Sequence, residues 1–201
     1  MDSMILKSLN VNGRLLDLST PQVMGVLNVT PDSFYAGSRS RTEAEIAARA
    51  CQILDEGASI IDIGAYSSRS NAEHISPEEE MQRLRTGLEI LNRNHPDAII
   101  SVDTFRAEVA RQCVEEYGAA IINDISGFEA DSTLLDVLAE FKCGYVLLHT
   151  LGRPAVMQIE PSYGNVIEEI YTYFEQKLTV LINAGVPEEN IVLDPGIGFG
   201  K

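Results

Sequence analysis

Short apolar runs alternate with longer stretches of helical periodicity along this chain. Residues 23–27, 60–64, 99–102, 120–122, 145–148 and 191–193 are apolar over most of their length. Runs this short, bounded by turn residues, read as strands buried on both faces. Between them apolar positions recur every three or four residues. The stripes are Ile46, Ala50, Ile53 and Leu54, then Met81, Leu84, Leu88 and Leu91, then Val109, Ala110, Cys113 and Val114. Leu134, Leu135 and Leu138 form a fourth, and Val166, Ile170, Phe174, Leu178 and Leu181 a fifth. Each predicts an amphipathic helix. Thr42 with Glu45 has the form of a capping box. Ser76-Pro77-Glu78-Glu79 has it too, with proline at the first helical position. Gly57, Gly118 and Gly185 stand where helices should stop.

Ahead of the first run, Ile5, Leu9 and Val11 share a face at a period of two, interrupted by Lys7. Asn12-Gly13 and then Leu15, Leu16 and Leu18 follow. Asn-Gly between partly alternating segments predicts a hairpin. It is expected to cover the N-terminal end of a barrel and to carry no chemistry.

Repeated strand–helix units predict an α/β fold with a parallel sheet. The expected architecture is a TIM (β/α)8 barrel followed as far as its sixth strand. It is read as one domain over 1–201, with the hairpin in 1–20 and six strands and five helices in 21–201. Six strands make an arc with two open edges, so the pattern looks like a barrel cut short by about two units. An open doubly wound sheet is the alternative, weakened by the lack of a glycine-rich dinucleotide loop after the first strand.

Charge narrows the partners. The 201 residues carry 30 acidic and 15 basic side chains, a net charge of -15. Such acidity argues against a general nucleic-acid surface or an anionic membrane surface, though a few local donors can still hold a phosphate. Three cysteines, Cys51, Cys113 and Cys143, have no metal spacing. They are expected to be reduced and mostly buried, in a cytoplasmic protein. No signal peptide and no membrane-length apolar run is legible.

The candidate chemistry sits where the runs end. Asn28, Asp103, Asn123, His149 and Asp194 each follow or close a predicted strand, and Ser67-Ser68-Arg69 follows the second. Asp62 lies inside its run. Polar groups at one end of parallel strands converge on one volume. Carboxylates and an amide there suit a flat, nitrogen-rich ring, as they suit a base edge. Each alone could equally be a hydrogen-bonded structural residue. A hydroxyl beside a guanidinium suits an anion such as diphosphate, although a lone loop arginine is usually solvated. His149 reads as a base, a diphosphate donor or a strand cap.

The first run with its loop, Met24-Gly25-Val26-Leu27-Asn28-Val29-Thr30-Pro31-Asp32-Ser33-Phe34, resembles the opening signature of the dihydropteroate synthase family of pterin-binding TIM barrels. Asp62-Ile63-Gly64 with Ser67-Ser68-Arg69, Ser101-Val102-Asp103-Thr104 and Ile122-Asn123-Asp124-Ile125 match in order. Asp194-Pro195-Gly196-Ile197-Gly198-Phe199-Gly200-Lys201 is similar to a further family motif. The resemblance implies condensation of (7,8-dihydropterin-6-yl)methyl diphosphate with 4-aminobenzoate, giving 7,8-dihydropteroate and diphosphate for folate biosynthesis. It implies that Asn123, Asp194 and Asp103 hold the pterin, and that Asn28 contacts Mg²⁺ on the diphosphate. Ser68 and Arg69 would act on the diphosphate, and Phe34 and Ser70 would border 4-aminobenzoate. Asp103, Arg69 and Asp194 are thus the expected catalytic set, with Phe199 and Lys201 added to the substrate-binding residues.

The chain departs from the family pattern at Ala36, at Ser70 and at Thr150-Leu151. The family's Lys after strand seven and its Arg and His after strand eight have no counterpart here, and turnover by these 201 residues alone is expected to be feeble or absent. A homodimer is expected of the full-length protein. Two other functions fit the same pattern: a methyltetrahydrofolate-dependent methyltransferase of this barrel family, and a catalytically incomplete pterin-binding fragment.

Overall fold

The computed structural model describes residues 8–30, 39–66, 75–150 and 162–201. Two short strands, β1 (Ser8–Val11) and β2 (Arg14–Asp17), pair antiparallel with Leu9 opposite Leu16. The turn between them places Asn12 at φ 52° and Gly13 at φ 77°. Both central residues are left-handed, the conformation that suits a tight hairpin and that Asn-Gly adopts at little cost.

Six strands follow: β3 (Met24–Asn28), β4 (Ile60–Gly64), β5 (Ile99–Asp103), β6 (Ile121–Asp124), β7 (Gly144–Leu148) and β8 (Ile191–Asp194). They pair parallel in chain order, β3-β4-β5-β6-β7-β8. A doubly wound sheet reverses its strand order at a switch point, and this one does not. Each crossover carries a helix: α1 (Arg39–Asp55), α2 (Pro77–Asn94), α3 (Ala107–Tyr117), α4 (Leu134–Phe141) and α5 (Val166–Asn183). This is the singly wound course of a TIM barrel over six strands.

The period of two divides the strand residues between two faces. Ile61, Ile63, Ile100, Val102, Ile122, Tyr145 and Leu147 point outward into a core shared with the helices. Leu84, Leu88 and Leu91 of α2 and Leu134 and Leu138 of α4 have no exposed area there. Burying side chains of this size stabilises by roughly 1.5–3 kcal/mol each. The inner face holds a second, smaller core. Ile60, Ile121 and Val146 near the strand starts pack on Leu9 and Val11 of the hairpin. The hairpin therefore seals the bottom of the sheet, as its alternation predicts. Asn12 Nδ2 ties it to the carbonyl of Gly118 at 2.7 Å.

Several details differ from the sequence reading. Helix α1 begins at Arg39, ahead of the Thr42–Glu45 pattern. Cys51 is exposed on α1, and its Sγ donates to Asp55 Oδ2 at 3.4 Å. Ala50 and Ile53 take the buried face instead, so position 51 turns away from the core. Of the predicted stripe on α5, Leu181 alone is fully buried. Among the described strands β3 pairs with β4 alone and β8 with β7 alone, and their Val26 and Leu193 are 53% and 42% exposed.

Candidate functional site

Sheet register sets the layers of the inner face. Asn28 lies beside Gly64, Gly64 beside Asp103, and Asp103 beside Asn123. One layer down, Asp62 lies beside Ser101. The polar inner-face residues thus occupy the C-terminal half of the strands, above the apolar layer that the hairpin seals. A Cβ on Gly64 would stand 3.3 Å from Asp103 Oδ2 and 3.5 Å from Asn28 Oδ1. The bare glycine leaves these two polar ends facing across open backbone.

Asp62 is buried and holds the cluster together. Its Oδ1 accepts from Ser101 Oγ at 2.7 Å, and its Oδ2 accepts from Asn123 Nδ2 at 2.9 Å. The other end of the Asn123 amide, Oδ1, is buried without a partner among the described residues. Burial holds the Asp62 carboxyl above the usual carboxylate range, against the pull of its two hydrogen bonds. Asp103 is pushed well above that range, first by burial and then by the charges of Asp62, Glu80 and Asp124. The site is rich in acceptors and resists negative charge, so it favours a ligand that presents N–H groups or positive charge.

At the end of β8, Asp194 Oδ1 accepts from the backbone of Gly196 at 2.7 Å. Gly196 has φ 66°, and a Cβ on it would come within 2.1 Å of the His149 carbonyl. Only glycine permits this crossing of the β8 loop over the end of β7. Lys201 secures the loop, donating to the carbonyls of His149, Gly196 and Phe199 at 2.8, 3.0 and 3.2 Å. Three carbonyls thus take up the ammonium donors of Lys201 in this structure. Phe199 is half-buried in that loop, where its N–H donates to the Gly196 carbonyl.

His149 is buried, with its ring edge-on to Tyr173 at 4.8 Å between centroids. Its Nδ1 has no partner among the described residues. Burial and then the Lys201 charge hold its pKa below the ordinary imidazole value, which favours the neutral ring.

The expected Mg²⁺ at Asn28 is corrected. Asn28 offers a single neutral amide oxygen, with Asp103 across the glycine gap. Among the described residues no group of three or more His, Cys, Asp or Glu converges on a metal position. A hard cation that demands octahedral oxygen ligands finds too few here. Phe34, Ser68, Arg69 and Ser70 lie outside the described residues.

Two features escape a search of strand ends. Asp62 is a polar residue at an inner position of an apolar strand, a signal visible in the period of two. Glu80 falls on the buried face of α2, one turn before Leu84, and is fully buried. It receives Thr104 Oγ1 at 2.7 Å and Arg106 Nη1 at 2.6 Å. Arg106 Nη2 also donates to the Ile75 carbonyl at 2.6 Å. Its guanidinium lies 5.4 Å from the ring centroid of Tyr66.

Residues 24–201 match the family model described as pterin binding enzyme. The chain is 40% identical over 189 residues to dihydropteroate synthase of Escherichia coli, covering 94% of this chain and 66% of that protein. It is 36% identical over 193 residues to dihydropteroate synthase of Haemophilus influenzae, covering 96% and 69%. The dihydropteroate synthase of Xanthomonas albilineans with 4-aminobenzoic acid superposes with a TM-score of 0.86 at 35% identity, over 97% of this chain and 68% of that one. The same enzyme in complex with 7,8-dihydropteroate gives 0.82 at 34% identity, over 96% and 67%. The chain thus spans about two thirds of the length of these relatives.

Proposed function

The chain belongs to the pterin-binding enzyme family, and we propose that it serves as a dihydropteroate synthase. Its substrates are (7,8-dihydropterin-6-yl)methyl diphosphate and 4-aminobenzoate. The carbon–oxygen bond to diphosphate breaks, and a carbon–nitrogen bond to the arylamine forms. The amine nitrogen gives up one proton to water or to the departing diphosphate. The relatives' names support this reading, and one observation carries it. The buried, unpartnered Oδ1 of Asn123 stands in a cluster with Asp62 and beside Asp103, so that acceptors outnumber donors. An aminopyrimidinone ring supplies the missing donors.

In this reading Asp103, Asn123 and Asp194 orient the ring. Electron release from the ring supports positive charge at the exocyclic carbon as diphosphate leaves. Acceptor groups around that ring stabilise the charge, and holding the amine in line removes much of the remaining barrier. Ser68 and Arg69 neutralise the leaving group, Phe34 and Ser70 border 4-aminobenzoate, and Phe199 lines the same pocket. The working protein is a cytoplasmic homodimer, with residues 1–201 belonging to one domain.

Incubation of the full-length protein with both substrates tests the reading. Dihydropteroate, separated by chromatography, should appear in step with released diphosphate. Binding of the pterin diphosphate with no product in the presence of 4-aminobenzoate would overturn the catalytic role. Methyl transfer from methyltetrahydrofolate, with no diphosphate involved, would move the chain to another branch of the family.

A further inference from the structure

We propose that Asp62 is a positioning residue that locks the Asn123 carboxamide with its oxygen as the unpartnered end, so that this point of the site accepts only a ligand N–H. The inference rests on a ring binding at this cluster, as in the function proposed above.

Both Asp62 oxygens act as acceptors in the hydrogen bonds they make, and in that state the side chain has no proton to donate to Asn123. Both oxygens of Asp62 are in use, one by Ser101 Oγ and one by Asn123 Nδ2. A reversed Asn123 would set its carbonyl oxygen against the carboxylate, two acceptors with no proton between them. The amide is therefore fixed by chemistry as well as by packing. Ser101 holds the carboxylate plane from the other side and is itself fully buried. Asn123 Oδ1 is then the end left over, buried and without a partner among the described residues.

That arrangement reads ligands. A ring N–H or exocyclic amine completes Oδ1. A ring acceptor in the same place meets a second acceptor, and the amide cannot turn to oblige it. An asparagine held by a residue able both to donate and to accept would lack this discrimination. The physical cost of keeping Asp62 and Ser101 inside apolar strands is otherwise unexplained, since no other described residue bonds to the Asp62 side chain.

Asp62→Asn keeps the shape and removes the acceptor-only character, so that either end of Asn123 can face position 62. Calorimetry with 6-hydroxymethylpterin should show affinity lower by about tenfold, as expected for one misdirected buried hydrogen bond. The preference for that pterin over 6-hydroxymethyllumazine, which carries an oxo group in place of the 2-amino group, should narrow by a similar factor. Ser101→Ala frees one oxygen of Asp62 but leaves its charge, and should give a smaller loss of affinity in the same direction. Unchanged affinity and unchanged preference in folded Asp62→Asn would overturn the proposal.

Nuclear magnetic resonance of the ligand-free protein separates the two readings. In the wild type the Asn123 side-chain NH₂ protons should exchange slowly with solvent, and that protection should fall in Asp62→Asn. Fast exchange in the wild type would sink the locking role. Slow exchange lost in the variant, together with no pterin binding by the wild type, would sink the proposed function and leave the orientation of Asn123 standing.

Discussion

Single side chains in this site work against their surroundings. Asp103 shows it through its response to pH. Burial and the neighbouring acidic groups raise its folded-state pKa well above the ordinary carboxylate value of 3.8. Between the ordinary and the raised value the folded protein keeps a proton that the unfolded chain has lost. Stability contributed by Asp103 therefore falls as pH climbs through that window and stays lower above it. Asp103→Asn removes the titration. The variant should be more resistant to urea than the wild type at neutral pH, and the gap should close below the ordinary carboxylate range. A variant less stable at both pH values would show that Asp103 is satisfied rather than strained. Pterin affinity should move the opposite way, since the amide cannot ionise to a carboxylate against the ring's N–H groups.

At the scale of the element, the pair Glu80 and Arg106 joins three pieces of chain. Glu80 lies in the first turn of α2, and Arg106 is the N-cap position of α3. The carbonyl of Ile75 is held by the same guanidinium. Arg106→Met would leave a fully buried carboxylate with Thr104 as its remaining donor, at a cost of about 3–5 kcal/mol. Glu80→Gln combined with Arg106→Met should recover part of that loss, because the buried charge is gone. Thermal denaturation of the two single variants and the double variant measures the coupling. Strictly additive losses would mean that the pair does not act as a unit. Elements of this kind were partly legible beforehand. The Ser76 cap is present as predicted, its side chain accepting from the Glu79 N–H. The partnership of Glu80 with Arg106 was not legible, because 26 positions separate residues that meet only after the crossover helix has folded back.

At the scale of the whole molecule, the net charge of -15 is a persistent repulsion. Among the described residues few ion pairs offset it, and those on the surface, such as Arg111 with Glu140 at 2.7 Å, contribute little. Screening should relieve the repulsion. Raising sodium chloride from about 10 mM to about 150 mM shortens the Debye length from roughly 30 Å to roughly 8 Å. The melting temperature should rise by a few degrees over that range, as read by calorimetry. A fall would show that specific attractive pairs outweigh the general repulsion. The sheet edges belong to this scale too. Val26 and Leu193 are exposed because β3 and β8 each have one neighbour among the described strands.

The sequence by itself determined the order of strands and helices, the hairpin turn at Asn12-Gly13 and the placement of polar residues at strand ends. Those features depend on local periodicity and on backbone preferences that each short segment carries alone. Asn123 and Asp194 were legible as candidates for the same reason. Which end of Asn123 is left unpartnered was decided only by the fold, since the answer lies with Asp62, two strands away in the sheet. The same holds for the ammonium of Lys201, which is held by the carbonyls of His149, Gly196 and Phe199. Hydrogen-bond partnership is a property of distance in space. Parallel strands separate neighbours in space by a whole helix of sequence, so the donors and acceptors of this site find one another only in the assembled sheet.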